Sequence, residues 1–181
     1  MSGTTPARDR PSLPNMERLL MLWEARDTPA TALEHAVMAF HALWQDYLAE
    51  MDATAICEWL ESDQPRDVDE VAGRIAHHID DELTWALGNR PETANVLEDD
   101  EKEHTFGELI AVITVLSVLL DRWPHEVGEC PHAPTFVQTS RAYDHLVTGL
   151  LTGDRRQPRR RAHGAPPIPR PHPIATQVKP R

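Results

Sequence analysis

The chain has 181 residues, a formal net charge of −11 and two cysteines; one domain is the expectation, and a disulfide framework is excluded. Its charge is split: residues 1–153 carry 10 Lys/Arg against 28 Asp/Glu, and residues 154–181 carry eight against one. The opening MSGTTPARDRPSLPN has no apolar signal region, and the longest apolar run, Leu109–Leu120, has 12 residues, where a membrane span takes about 20.

These features predict a cytoplasmic protein with reduced thiols at Cys57 and Cys130 and no membrane association. Only Lys102 and Lys179 among the 18 basic residues are lysine. That bias, with abundant Ala and Pro, reads as high-GC coding and points to a bacterial or phage source.

Apolar residues recur at helical spacing throughout, and no period-two strand pattern is present. Residues 1–14 are expected to be a disordered lead. The first helix is predicted over Met16–Arg26, capped by Asn15, with Leu19, Leu20 and Trp23 as its stripe. Thr28-Pro29 reads as a cap followed by proline at the first helical position. From there a second helix runs to Met51 on Leu33, Val37, Phe40, Trp44, Tyr47 and Leu48. A short helix with Ile56, Trp59 and Leu60 ends before Pro65.

Asp67 caps the predicted fourth helix, whose stripe is Val68, Val71, Ala72, Ile75, Ile79, Leu83 and Ala86. Gly88-Asn89 and Pro91 stop it. Residues 89–104 form an acidic linker, which lacks the spaced acidic pattern and turn glycine of a calcium loop. Thr105 and Glu108 then match a capping box that opens a fifth, largely buried helix closed by Trp123-Pro124. Thr135 caps the last helix, with Phe136, Tyr143, Val147, Leu150 and Leu151 facing inward, and Gly153 ends it. The fold class is all-α: an acidic bundle of five or six helices over 15–153. Residues 154–181 make a basic Pro/Arg-rich tail, expected to be disordered when alone.

Three groups of residues invite a functional reading. Arg155, Arg156, Arg159, Arg160 and Arg161 concentrate fork-shaped donors suited to phosphates, so the tail can bind a polyanion such as nucleic acid. No aromatic side chain is interleaved there for base stacking. The tail can equally meet an acidic protein surface, fold back on its own body, offer the PxxPR of Pro166–Arg170 as a proline-motif ligand, or simply aid solubility.

The second group is histidine-based. His78 and Glu82 stand four apart at one edge of the fourth helix's stripe, and His41 flanks that of the second, near Glu34. Such side chains on facing helices can hold a transition metal. The alternative is a plain helix-stabilising pair, because the repeated Glu and Glu-x-x-His sets of di-iron bundles are missing. His35 and His145 lie opposite their stripes and should face solvent.

The third group is the loop His125, Glu126, Glu129, Cys130 and His132. It gathers zinc-type ligands but lacks the paired spacing of structural zinc sites, so an irregular loop with a tucked thiol is the plainer account. A Cys130 nucleophile with His125 or His132 has no motif behind it. No phosphate-binding loop, nucleophile elbow or HExxH is present. The sequence therefore predicts a non-catalytic binding or adaptor protein with no bound cofactor. It would use the acidic bundle for a protein partner and the tail for a polyanion. The alternatives are a metal-dependent bundle enzyme using His41, His78 and Glu82, and an assembly component of a phage or multi-protein complex.

Overall fold

A computed structural model of the chain describes residues 12–62, 67–88, 104–124 and 128–154. Among these residues there are six helices and no strand: α1 Met16–Trp23, α2 Ala32–Tyr47, α3 Ala53–Glu61, α4 Asp67–Ala86, α5 Phe106–Arg122 and α6 Ala133–Thr152. The fold is all-α, as the periodicity predicted.

Helix α5 is the axis. Phe106 to Leu116 is buried without a break, followed by Val118 and Leu119, so this helix has almost no solvent face and must be covered on all sides. Helices α2, α4 and α6 pack around it, α3 covers it too, and α1 bridges α2 and α6. The hydroxyl of Thr114, wholly buried, donates back to the Ile110 carbonyl at 2.7 Å, which satisfies the polar group inside its own helix. Tyr143 of α6 packs against Phe106 with ring centroids 5.2 Å apart and donates its hydroxyl to the Pro14 carbonyl at 2.5 Å. Burial pushes the Tyr143 phenol well above its ordinary value. Trp44, Trp59, Tyr47 and Phe40 form an aromatic cluster that joins α2 to α3.

The α4–α5 joint is steric. Gly107 lies so close to α4 that a Cβ at this position would overlap the carbonyl oxygen of Ala76. Its amide donates to the buried Asp80 carboxylate at 2.8 Å, and a negative group there also complements the helix N-terminus. The predicted capping box is present in both directions: the Glu108 amide donates to the Thr105 hydroxyl at 3.2 Å, and the Thr105 amide donates to the Glu108 carboxylate at 3.0 Å.

Several boundaries differ from expectation, each for a tertiary or turn-chemical reason. Helix α1 stops at Trp23, not Arg26, because Ala25 adopts a left-handed φ of 55° and the Arg26 amide donates to the Met21 carbonyl at 2.9 Å, a Schellman-type closure. Helix α2 begins three residues after Pro29, since Thr31 is its cap and accepts from the Glu34 amide at 3.1 Å. It ends at Tyr47 rather than Met51. Arg122 of α5 donates to the carbonyls of Leu48 and Gln45, a favourable use of a cation at a helix C-terminus.

Asp67 is the first residue of α4 rather than its cap. In α6 the helix starts at Ala133, with His132 in the cap position making no side-chain capping bond and proline in the first turn; a proline costs nothing where its amide would have no partner. Thr135 is therefore inside the helix. Leu151, expected inward, is 46% exposed. Asn15, Trp123 and Gly153 end their helices as expected, Gly153 with φ 79°.

Candidate functional site

The residues proposed as metal ligands occupy different environments. His41 is buried on α2 beneath Trp23 of α1, the rings stacked at 5.1 Å and 10°. Burial pushes its pKa down to about 4, against an opposing pull from Asp121. Neutral and covered by an indole, His41 serves as a packing residue at neutral pH. Glu34, its presumed neighbour in a site, is engaged by Arg18. The Arg18 Nε donates to Oε1 at 2.7 Å and Nη2 donates to Oε2 at 3.1 Å, and the Ala30 amide reaches Oε2 at 2.6 Å. Arg18 also pairs with Asp27 and donates to the Thr28 carbonyl at 2.9 Å. The Arg18 guanidinium holds the Glu34 carboxyl below its ordinary value despite burial.

His78 is exposed on α4 and Glu82 is half-buried one turn on. Among the described residues no three His, Cys, Asp or Glu side chains stand together where they could hold a metal ion. The helices therefore do not gather His41, His78 and Glu82 into one ligand set. The reason is rotational: His41 turns into the α1 contact, while His78 turns outward from the α2 and α5 contacts of α4.

In the loop before α6, His125 and Glu126 lie outside the described residues. Cys130 is buried, His132 is wholly buried, and Glu129 is exposed. Burial raises the thiols of both Cys57 and Cys130 above their ordinary value, the opposite of what an activated nucleophile requires. Both cysteines are free thiols. The Trp123 indole donates to the Gly128 carbonyl at 2.8 Å. His35 and His145 are exposed, as their helical angles predicted.

Arg155, Arg156, Arg159, Arg160 and Arg161 lie outside the described residues, as does the acidic linker from 89 to 103. What the body offers beside them is a face of α4. Glu70 and Arg74 pair there at 3.7 Å, and His78, Asp81 and Trp85 follow at successive turns. Trp85 is 67% exposed, the most exposed large apolar side chain among the described residues. Trp85 stands outside the apolar stripe predicted for α4, and its position was legible by angle: two residues past Leu83, it lies about 200° round the helix from that core position. An indole with carboxylates one turn back, at Asp81 and Glu82, is an arrangement that attracts cations through both the ring face and charge.

No helix among the described residues is long and apolar enough to cross a membrane. Compared with known proteins, the chain matches no family model, no curated protein and no solved structure.

Proposed function

We propose that this chain is a non-catalytic binding protein whose basic tail engages a polyanion, of which nucleic acid is the class best suited to clustered arginines, while its acidic helical body engages a protein partner. The observation that carries this reading is the charge split, with a basic excess only after residue 153. Arginine forks pair with phosphates in bidentate fashion, and each neutralised phosphate releases condensed counterions. An acidic body repels the same polyanion, so contact rests on the tail. Two free thiols at Cys57 and Cys130 suit a reducing compartment such as the cytoplasm.

The test is fluorescence polarisation with labelled duplex DNA and single-stranded RNA over a salt series. The full chain is compared with a variant carrying glutamine at Arg155, Arg156, Arg159, Arg160 and Arg161. Five phosphate contacts predict a log–log salt slope of about −4.5 on DNA, lost in the variant. Absence of binding at about 50 mM salt, or equal binding by both proteins, would overturn the reading.

A further inference from the structure

We infer that the exposed α4 face formed by His78, Asp81, Glu82 and Trp85 is a docking surface for the chain's own arginine run, Arg155–Arg161, so that the body holds the tail until a polyanion displaces it. This deepens the proposed tail function by naming the surface that regulates it.

Four observations converge on that occupant. The first is the face itself: Trp85 is 67% exposed, whereas Val68, Ile79 and Leu83 of the same helix are buried. An arginine over an exposed indole is a favoured pair, more so than lysine, and the tail's basic residues before position 179 are all arginine. The second is charge. The body carries a large acidic excess and the tail an almost purely basic one, and Asp81 and Glu82 bring part of that excess to within one turn of the indole.

The third is the helix end. Neither α4 nor α6 has a basic residue in its last turn, so the partial negative charge of the α4 C-terminus has no cation from its own helix. The fourth is position. Asp80 of α4 and Tyr143 of α6 both meet the start of α5, at Gly107 and Phe106. Helix α4 continues six residues beyond Asp80, and α6 nine beyond Tyr143, to Thr152. Both C-termini therefore lie within about 14 Å of the start of α5, measured along their own helices. The tail leaves α6 at Gly153, and six residues of extended chain span roughly 20 Å. Two helices packed on one central helix stand at most two interaxial distances of 8–10 Å apart, a separation that the chain from Gly153 to Arg159–Arg161 is long enough to cover.

The experiment uses the full chain and the tryptophan indole N–H resonances in two-dimensional NMR, with Trp85→Ala identifying the Trp85 peak. In low salt, glutamine at the five arginines is expected to displace the Trp85 peak and leave the other four indoles in place. High salt should bring the two spectra together, and tenfold dilution should change neither. Coincident Trp85 peaks at low salt would overturn the inference. So would a dilution-dependent Trp85 peak, which would mean docking between copies.

In the polarisation assay Trp85→Ala should bind the polyanion about two- to fivefold more tightly, because a freed tail no longer shares its arginines with the body. Unchanged affinity in that variant would overturn the holding role. The two proposals separate cleanly. Tail-dependent polyanion binding with coincident indole peaks sinks the docking surface alone, and a displaced indole with no polyanion binding sinks the polyanion reading and its release step but leaves the docking surface standing.

Discussion

The starts of α2 and α5 share one local signature, a threonine followed three residues later by glutamate, and the bundle uses the two in different ways. At α5 the signature closes on itself, Thr105 and Glu108 each satisfying the other's amide. At α2 the Thr31 hydroxyl still caps the Glu34 amide, but the Glu34 carboxylate is taken by Arg18 from α1 and by the Ala30 amide. The same motif thus makes a reciprocal cap at one joint, with the His104 imidazole 3.5 Å from the Glu108 carboxylate, and an inter-helix clasp at the other. What decides between them is the neighbour: a backbone-close glycine contact with α4 beside Glu108, and a guanidinium fork beside Glu34.

The α5 start should be broken most severely by filling its close approach. Gly107→Ala places a Cβ against the Ala76 carbonyl, and backbone cannot swing aside as a flexible side chain can. A loss of about 3 kcal/mol is expected, because the α4–α5 spacing must widen along a buried interface. Urea unfolding measures it, and a loss under about 1 kcal/mol would show that the two helices slide apart without penalty.

The contrast between the joints also explains what the sequence disclosed. The α5 cap was legible because its determinants are local, Thr105, Glu108 and the apolar run behind them lying within 16 residues; the contacts of Gly107 with Ala76 and Asp80 come from α4 and left no such signal. Thr28-Pro29 predicts an α2 start three residues before the observed one, although Thr31 and Glu34 carry the same spacing as Thr105 and Glu108. Proline outweighed that signal, and the deciding partner, Arg18, sits 16 residues upstream of Glu34, at no spacing that a helical periodicity reports. The histidines divide in the same way. His35 and His145 were placed correctly by helical angle alone. His41 was not, because the indole that covers it belongs to another helix. Trp85 was legible by angle, yet an exposed tryptophan has no packing role for the core pattern to flag.

The α1–α2 side should respond to pH through His41. His41 titrates near 4 in the folded chain against an ordinary value of 6.5. Above 6.5 it is neutral in both states and its contribution is fully present. As pH falls from 6.5 toward 4 the unfolded chain takes up the proton first, so stability is lost across that window, by up to about 3 kcal/mol. His41→Phe keeps a ring against Trp23 and removes the titration. Its stability relative to the parent should therefore rise steadily between pH 6.5 and 4. A constant difference across that range would mean that the imidazole protonates in place beneath the indole at no cost.

The smallest effect gives the sharpest comparison, because one substitution is made in the same signature at both joints. Glutamine serves as well as glutamate in a capping box, and the His104 imidazole 3.5 Å from the Glu108 carboxylate is exposed, where an ion pair adds little. Glu108→Gln should therefore cost no more than a few tenths of a kcal/mol. At Glu34 the requirement is different. Arg18 uses Nε and Nη2 on two carboxylate oxygens, and an amide offers one acceptor and turns two donors toward a cation. Glu34→Gln should cost about 1.5 kcal/mol, the scale of a charge-assisted bond moderated by partial exposure of Arg18. Thermal unfolding of the two variants side by side measures the difference. Equal losses would mean that Glu34 acts as a second local cap and that Arg18 contributes nothing to it. A larger loss at Glu34 would establish that α1 is fastened to α2 by geometry specific to a carboxylate, which leaves the α5 cap as the only one of the two that its own helix completes.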